Sequence, residues 1–454
     1  MPKHRSLRRL EMIMSKPLRV FVDHGEAYGN LGDEAMLSNA LRRLQAQLGE
    51  CIFVIPREGT RPLPVFDGWR VEEVPSPFLF YMAVRDCLQA LLTRMRGHGL
   101  PLAELTLPQI SAAAHLLFGL KKHGVARKIC GDLTSLIAAL RSCDAFYGVG
   151  AADFNDFNAF GAAYKTWLYE AVRPFVAVSA VGPQGFGPLT RTDLKSLMAR
   201  AFDRLDLLAF RDHAFSADYT RTLALSHCRT KITADEALSL PLASDADRDS
   251  YLKSAGLAPA ENFIAVHWRS TDYTQDTDRY YDKVAAAFDT ATELTGLRLV
   301  FFPMSYDVHS RHDKDCGAEL AARMKHSSRL LMAPVTKDVQ LIKTSIAAAR
   351  FTLGLSYHVH VFALSEGKPA IIIFTGDYYR FKSHGLVDFY GAPSTAIDLA
   401  TADESELRTA IQVIHSQHDK AGHKIKTVNA ELAKRNDWVI SEMAALLRLK
   451  GRLT

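Results

Sequence analysis

The sequence predicts an α/β protein of two tandem domains closed by a helical C-terminal segment. Three observations carry this. Short runs rich in β-branched and aromatic residues alternate with stretches of helical spacing, the rhythm of a parallel sheet with helices on its faces. That rhythm breaks and restarts across a polar, proline-containing stretch near residues 240–260. And 454 residues exceed what one ordinary core serves. The predicted division is an N-terminal α/β domain over 15–240, a C-terminal α/β domain over 241–400 and helices over 401–454.

LRVFVDHG (18–25) reads as the first strand, and NLGDEAMLSNALRRLQAQLG as the helix after it, with Ala35, Leu37, Leu41, Leu44 and Leu48 on one side. CIFVIP (51–56) is the next strand, so the chain opens βαβ. Residues 75–142 then interrupt with Ala/Leu-rich helical segments separated by GHGLP, TLP and KKHG. Their basic residues, Arg94, Arg96, Lys121, Lys122, Arg127 and Lys128, read as solvated faces of helices packed on the first domain; a basic surface for anionic lipid is the sharper alternative. The α/β rhythm resumes with AFYGVG, FVAVSAVGPQGFGP, LLAFRD and KITADEAL. After the boundary it repeats with FIAVHWR, LRLVFFPMS, SRLLMAP, FTLGLSYH and PAIIIFTG. Residues 403–449 read as one or two long helices.

Composition narrows the function classes. A net charge of +5 suits an anionic small substrate or an anionic membrane surface, and is too weak to argue for nucleic acid. The six cysteines show no close pairing, so neither a disulfide framework nor a thiolate metal site is expected, and a reducing cytoplasm fits. The basic N-terminus lacks a signal peptide's apolar core, and no window reaches the ~18 apolar residues of a membrane span. The expected location is cytoplasmic, with any membrane contact peripheral, at the inner face.

Two α/β domains in tandem place the carboxyl ends of both sheets around a cleft, the usual position for a ligand. In YGNLGDEAM (28–36), Asn30, Gly32 and Asp33 lie at a strand-to-helix junction whose free amides favour an anion. By local rules Asp33 reads first as the helix N-cap; Asp33 or Glu26 could instead serve as base for a sugar hydroxyl. GVGAADFNDFN carries Gly148 and Gly150 but no complete GxGxxG; with Asp153, Asn155 and Asp156 it reads more as a carbohydrate-facing loop than as a dinucleotide site. GPQGFGPL (182–189) reads equally as a ligand-approaching loop or a structural turn. Arg211 and Arg269 each end a predicted strand, where a guanidinium serves phosphate or carboxylate recognition or an interdomain ion pair. In LGLSYHVHVFAL (353–364), His358 falls at a strand-to-helix junction, where a neutral imidazole can act as acid or base, and His360 falls inside the helix as a packed residue.

Taken in order, GNLGDEAML, GVGAADFND, GPQGFGPL, FRDHAFS, TADEAL and GLSYHVHVFALSEGKPAIIIFTGDYYRFK resemble the polysaccharide pyruvyl transferase family over roughly residues 18–390. The resemblance implies two Rossmann-like domains in an arrangement like that of GT-B glycosyltransferases. It also implies transfer of pyruvate from phosphoenolpyruvate onto two sugar hydroxyls as a cyclic ketal, with no metal or other cofactor required. By position His358 matches the family's general-acid histidine and Lys382 a lysine after the next strand. One departure matters: the family usually has arginine two residues before that histidine, a phosphate ligand, and this chain has Ser356. Arg269, Arg211, Arg380 or Lys382 would have to compensate, or the donor differs.

The expected roles follow. His358 donates the proton; Asp33 or Asp153 orients or deprotonates the acceptor, a sugar or lipid-linked oligosaccharide; Arg211, Arg269 and Lys382, with Asn30, Gly32, Gly150 and Ser356, hold substrate. Two alternatives stand beside this reading. One is a GT-B-like glycosyltransferase with a nucleotide-sugar donor. The other is a non-catalytic glycan-binding or scaffold relative.

Overall fold

The computed structural model describes residues 16–24, 29–57, 68–97, 104–119, 133–269, 277–306 and 313–453. Among them, fourteen strands form two sheets with every pairing between strands parallel. The first contains β1 (Leu18–Asp23), β2 (Cys51–Arg57), β3 (Val71–Pro75), β4 (Ala145–Gly148), β5 (Ala151–Phe154), β6 (Val178–Phe186), β7 (Leu207–Phe210) and β8 (Arg229–Ile232). Their order is β3-β2-β1-β4-β6-β7-β8, with β5 beside the end of β6. The second contains β9 (Phe263–His267), β10 (Arg298–Phe301), β11 (Leu330–Met332), β12 (Thr352–Gly354), β13 (Ala370–Phe374) and β14 (Thr395–Asp398), in the order β11-β10-β9-β12-β13-β14.

Parallel strands buried on both faces need apolar residues at successive positions, which is why these strands read as continuous runs. In β1, Val20 and Val22 face one core while Phe21 faces another. The first of these cores is continuous from one sheet to the other: it joins Val20 and Tyr147 to Ala265, Val300 and Ile372. Between the sheets lies the helix Tyr357–Ser365, buried at every residue from Tyr357 to Leu364. A helix apolar all round has no solvent face, so it belongs between layers. Gly354 permits its entry: a Cβ there would stand 2.1 Å from the His267 carbonyl oxygen.

The described part of the 75–142 interruption forms the helices Pro77–Gly97, Leu107–Gly119 and Leu133–Ser142, which pack into the first domain's outer core. Phe80, Tyr81 and Phe118 lie 5.3, 5.6 and 5.6 Å, ring to ring, from the buried Trp167. Arg94 and Arg96 are exposed; Lys121, Lys122, Arg127 and Lys128 lie outside the described residues, as does Glu26. The C-terminal residues form the helices Glu404–Asn436 and Trp438–Leu449, and the second packs back on β6, β7 and the helix Leu31–Leu48 of the first domain.

Three strands carry no clear signal in the sequence: β3, β5 and β14. GPQGF is a different kind of correction. Rather than a loop after a strand, residues 182–186 are the second half of β6 itself, and its register with β5 and β7 shifts there. Gly and Pro tolerate such irregular ladders, where a regular strand would need every amide.

The domains also meet along a short backbone seam. Leu31 N donates to Met304 O (2.9 Å) and Tyr306 N to Gly29 O (2.9 Å), around an antiparallel bridge between Asn30 and Ser305. Lys343 Nζ adds bonds to the carbonyls of Leu238 and Leu240 at 3.0 and 2.6 Å. Among the described residues no helix is long and apolar enough to cross a membrane.

Candidate active site

Residues that follow β7, β8 and β9, with the N-terminus of the helix Leu31–Leu48 and the helix after β13, surround His358, which itself follows β12. Its helix begins at Tyr357 with Ser356 at the N-cap position, so His358 sits in the first turn, buried, with its ring against the N-terminus of the helix Leu31–Leu48. That contact explains Gly32. A Cβ on Gly32 would lie 1.9 Å from His358 Nδ1, so only glycine leaves room for the imidazole.

On its other edge, His358 Nε2 is buried without a hydrogen-bond partner and stands 3.8 Å from Asp235 Oδ1. Burial is the main reason its pKa falls to about 3; the charges of Arg211, Lys382 and Arg269 push it further down and Asp235 pulls it up. His358 is therefore a neutral imidazole whose Nε2 has no hydrogen-bond partner among the described residues. His360, two residues on, is a contrast: Nδ1 pairs with Thr352 Oγ1 at 2.8 Å and Nε2 with the Gly354 carbonyl at 2.9 Å. It is a satisfied core residue.

Asp235 was not singled out by the sequence, although TADEAL contains it. Its carboxylate is clamped on both oxygens: Oδ2 accepts from Arg211 Nη1 at 3.0 Å and Oδ1 from Ala237 N at 2.9 Å. Asn436, from the long C-terminal helix, holds the same turn through Ala234 N and the Asp235 carbonyl. No local pattern distinguishes Asp235 from an ordinary cap of the short helix Glu236–Ser239; only the fold brings it to His358.

The cations arrive from three directions. Arg211, just past β7, is buried, its guanidinium 4.3 Å from the centre of the Tyr357 ring and its Nη2 unpartnered. Lys382, on the helix Gly376–Val387, lies 5.3 Å from the same ring and donates to Tyr378 OH at 3.2 Å. Its pKa is lowered to about 8, by burial first and then by Arg211. Arg269, past β9, is 3.6 Å from Asp313. Asp313 also accepts from His267 Nε2, Met304 N and Ser305 N at 3.0, 2.7 and 2.9 Å, which holds Arg269's partner in place. Arg380 does not join them: it is exposed and pairs with Asp377 at 3.0 Å.

The carboxylates lie opposite. The N-cap of the helix Leu31–Leu48 is Asn30, whose Oδ1 accepts from Gly32 N at 3.0 Å; Asp33 is in the first turn and is not the cap. This corrects the local reading of Asp33. Burial raises its pKa to about 6, with Asp153 adding to the rise and Lys382, Arg269 and Arg211 opposing it. Asp153 is partly exposed and forms an ion pair with the buried Lys165 at 2.8 Å, which also reaches Asp23 at 3.2 Å. Lys165 was invisible in AFGAAYKTWLYEAV, where a lysine reads as a helix surface residue. Gly150 is buried in a close crossing of two chain segments, since a Cβ would meet the Pro183 carbonyl oxygen at 2.6 Å. Ser356 is buried and its side chain makes no capping bond, so the hydroxyl and first-turn amides of its helix are not tied to one another.

Asp33, Arg211, Arg269, His358 and Lys382 thus share one electrostatic site. A model of the polysaccharide pyruvyl transferase family matches residues 30–376, which include all of these except Lys382. The chain belongs to that family. No curated protein is similar enough in sequence to match. Among solved structures, Phytolacca americana UGT2 complexed with UDP-2fluoro-glucose and pterostilbene is similar with a TM-score of 0.53 at 12% identity, over 95% of this chain and 99% of its own. Medicago truncatula UGT71G1 complexed with UDP-glucose gives 0.51 at 9% identity, over 95% and 98%. Anabaena Alr3699/HepE in complex with UDP and glucose gives 0.50 at 13% identity, again over 95% and 98%. Identities this low speak to fold alone: this pyruvyl transferase family member has two Rossmann-like sheets in the GT-B arrangement.

Proposed function

We propose that the protein transfers pyruvate from phosphoenolpyruvate to two hydroxyls of a sugar, as a cyclic ketal, in exopolysaccharide or cell-envelope glycan assembly. One observation carries the reading: a buried imidazole with an unpartnered Nε2 lies among three cationic side chains and beside a carboxylate of raised pKa. An enolic polyanion needs this combination, with cations for its phosphate and carboxylate and an acid for its methylene.

The neutral state of His358 has a direct consequence. The donor's negative charges offset Arg211, Lys382 and Arg269, so the force holding the imidazole unprotonated weakens when the donor binds, and Asp235 then favours the charged form. The proton arrives with the substrate. His358 gives it to the methylene carbon, C2 becomes electrophilic, and one acceptor hydroxyl adds there as Asp33 takes its proton. The second hydroxyl then displaces phosphate from C2. Of the two hydroxyl protons, one restores His358 and the other leaves on phosphate, so the products are the ketal and hydrogen phosphate. Asp153, paired with Lys165 at 2.8 Å, offers an acceptor for the sugar's remaining hydroxyls. The acceptor is a sugar or lipid-linked oligosaccharide, and the reaction belongs to the cytoplasmic face of the membrane. No metal or further cofactor enters.

Ser356 favours a second reading, a glycosyltransferase with a nucleotide-sugar donor, because the site lacks one guanidinium of its family. Thermal unfolding with millimolar phosphoenolpyruvate or UDP-glucose separates the two, since only a ligand bound to the folded state raises Tm. The expected outcome is stabilisation by phosphoenolpyruvate, and phosphate release with acceptor glycan that His358→Ala abolishes. Stabilisation by UDP-glucose alone would overturn the proposal in favour of glycosyl transfer; response to neither ligand would favour a scaffold.

A further inference from the structure

The loop after β5 holds an aromatic ring outward at the mouth of the cleft. In DFNDFN, Phe154 is fully buried, whereas Phe157 is 53% exposed. An exposed phenylalanine on a loose loop would mean little, but this loop is tied down on both sides of it. Asn155 Nδ2 donates to Ala152 O at 2.9 Å and its Oδ1 accepts from Asn158 N at 2.8 Å. The carboxylate of Asp156 accepts from both the amide and the hydroxyl of Thr190 at 2.6 Å, and Asp156 N donates to Pro188 O at 2.9 Å. The ring is thus presented in a set position, and docking on it costs little ordering of the protein.

Its surroundings specify what docks. Phe157 comes from the first domain and meets Tyr378 of the second edge-on, with ring centroids 6.3 Å apart. Tyr378 accepts from Lys382 and feels the charges of Arg211, Asp153, Asp33 and Arg269, so the aromatic pair borders the site where its cations and its two carboxylates meet. A flat apolar surface bordered by hydroxyl-accepting carboxylates matches a pyranose, whose axial C–H groups form one apolar face and whose hydroxyls lie around its rim. Phosphoenolpyruvate has no such face.

We infer that Phe157, backed by Tyr378, is the stacking platform for the apolar face of the acceptor's pyranose ring, turning the ring's hydroxyls toward Asp33 and Asp153. The inference rests on the acceptor being a sugar, as proposed above. It assigns acceptor selection to a residue that touches neither the donor nor the transferred proton.

Saturation-transfer NMR on the full chain tests it, with the methyl pyranosides of glucose, galactose, mannose and N-acetylglucosamine as probes and UDP in a separate tube. At least one pyranoside is expected to receive saturation on the C–H protons of one ring face. That signal falls by about fivefold or more in Phe157→Ala and recovers in Phe157→Trp. The Tm of Phe157→Ala should stay within about 1–2 °C of the parent because the ring is at the surface, and its stabilisation by phosphoenolpyruvate should be unchanged. Unaltered saturation in Phe157→Ala, no saturation of any of the four sugars, or Phe157-dependent saturation of the uracil protons of UDP overturns the platform. Loss of phosphoenolpyruvate stabilisation in the parent, with sugar saturation still dependent on Phe157, overturns the pyruvyl-transfer reading and leaves the platform standing.

Discussion

Two strand-to-helix junctions face each other across the cleft, and they are finished in opposite ways. At Leu31 the helix is closed by its own sequence: Asn30 accepts from Gly32 N, and Asp33 and Glu34 place acidic groups in the first turn. At Tyr357 the helix has no side-chain cap and no acidic residue in its first turn, and Arg211, Lys382 and Arg269 act on His358 instead. A helix end with its donors satisfied serves the fold; one left with free amides beside cations is prepared for an anion. The first junction contributes a surface for the second to lean on, through Gly32, and under the proposed reading it carries the base, Asp33, while the second carries the acid, His358.

The largest effect expected from breaking this division is at His358. In His358→Gln, which keeps size and polarity, kcat for pyruvyl transfer should fall by about 10³-fold, measured as phosphate release, with phosphoenolpyruvate stabilisation retained. Unchanged turnover would remove His358 from the role of acid. Next is Gly32→Ala, one methyl on the first junction aimed at the imidazole of the second. Displacing His358 by about 1 Å should cost roughly 10²-fold in kcat, and the forced contact about 1–3 kcal/mol of stability by denaturant titration. A variant with normal kcat would mean the two junctions are not in functional contact.

The pH profile comes next. Asp33, raised to about 6 chiefly by burial, works as a base only when deprotonated, so kcat/KM should rise as pH increases through about 6. Lys382, lowered to about 8 chiefly by burial, holds an anion only when protonated, so kcat/KM should fall through about 8. Lys382→Met should abolish the alkaline limb alone; persistence of that limb would assign it to another group. The smallest effects compare the two N-cap positions. Asn30→Ala should lower stability by about 1 kcal/mol, read from unfolding curves. Ser356→Ala should leave stability unchanged but weaken phosphoenolpyruvate binding about fivefold, the worth of one hydrogen bond, read by calorimetry. The reverse pattern would exchange the roles assigned to the two junctions.

What was readable in the sequence follows a physical divide. Strands such as FIAVH and AIIIF announce themselves because a parallel strand buried on both faces must be apolar along its length. VEEVP and TAID lie at sheet edges, where polar side chains face solvent, and gave no such signal. His358, Arg211 and Arg269 were found because strand ends are where ligands bind in these folds. Asp235 and Lys165 were not, because neither carries a local pattern. A cap on a short helix and a lysine in an amphipathic-looking segment acquire their roles from partners far away in the chain, His358 for Asp235 and Asp23 for Lys165. Asp33 was assigned to the cap because its type and place allow it, but Asn30 comes first in the chain and its side chain reaches Gly32 N.

The sequence by itself determined the two parallel sheets, their order of elements and the strand-end positions of the principal polar residues, since burial dictates hydrophobic period and breaks in it. The resemblance sets Ser356 where the family usually has arginine. Only the tertiary structure decided which of the candidate groups act together. Protonation of His358 depends on burial and on charges brought from three strand ends and one helix, and Gly32 matters only because an imidazole from residue 358 packs on it. Such effects fall off over a few ångströms in space and bear no relation to distance along the chain.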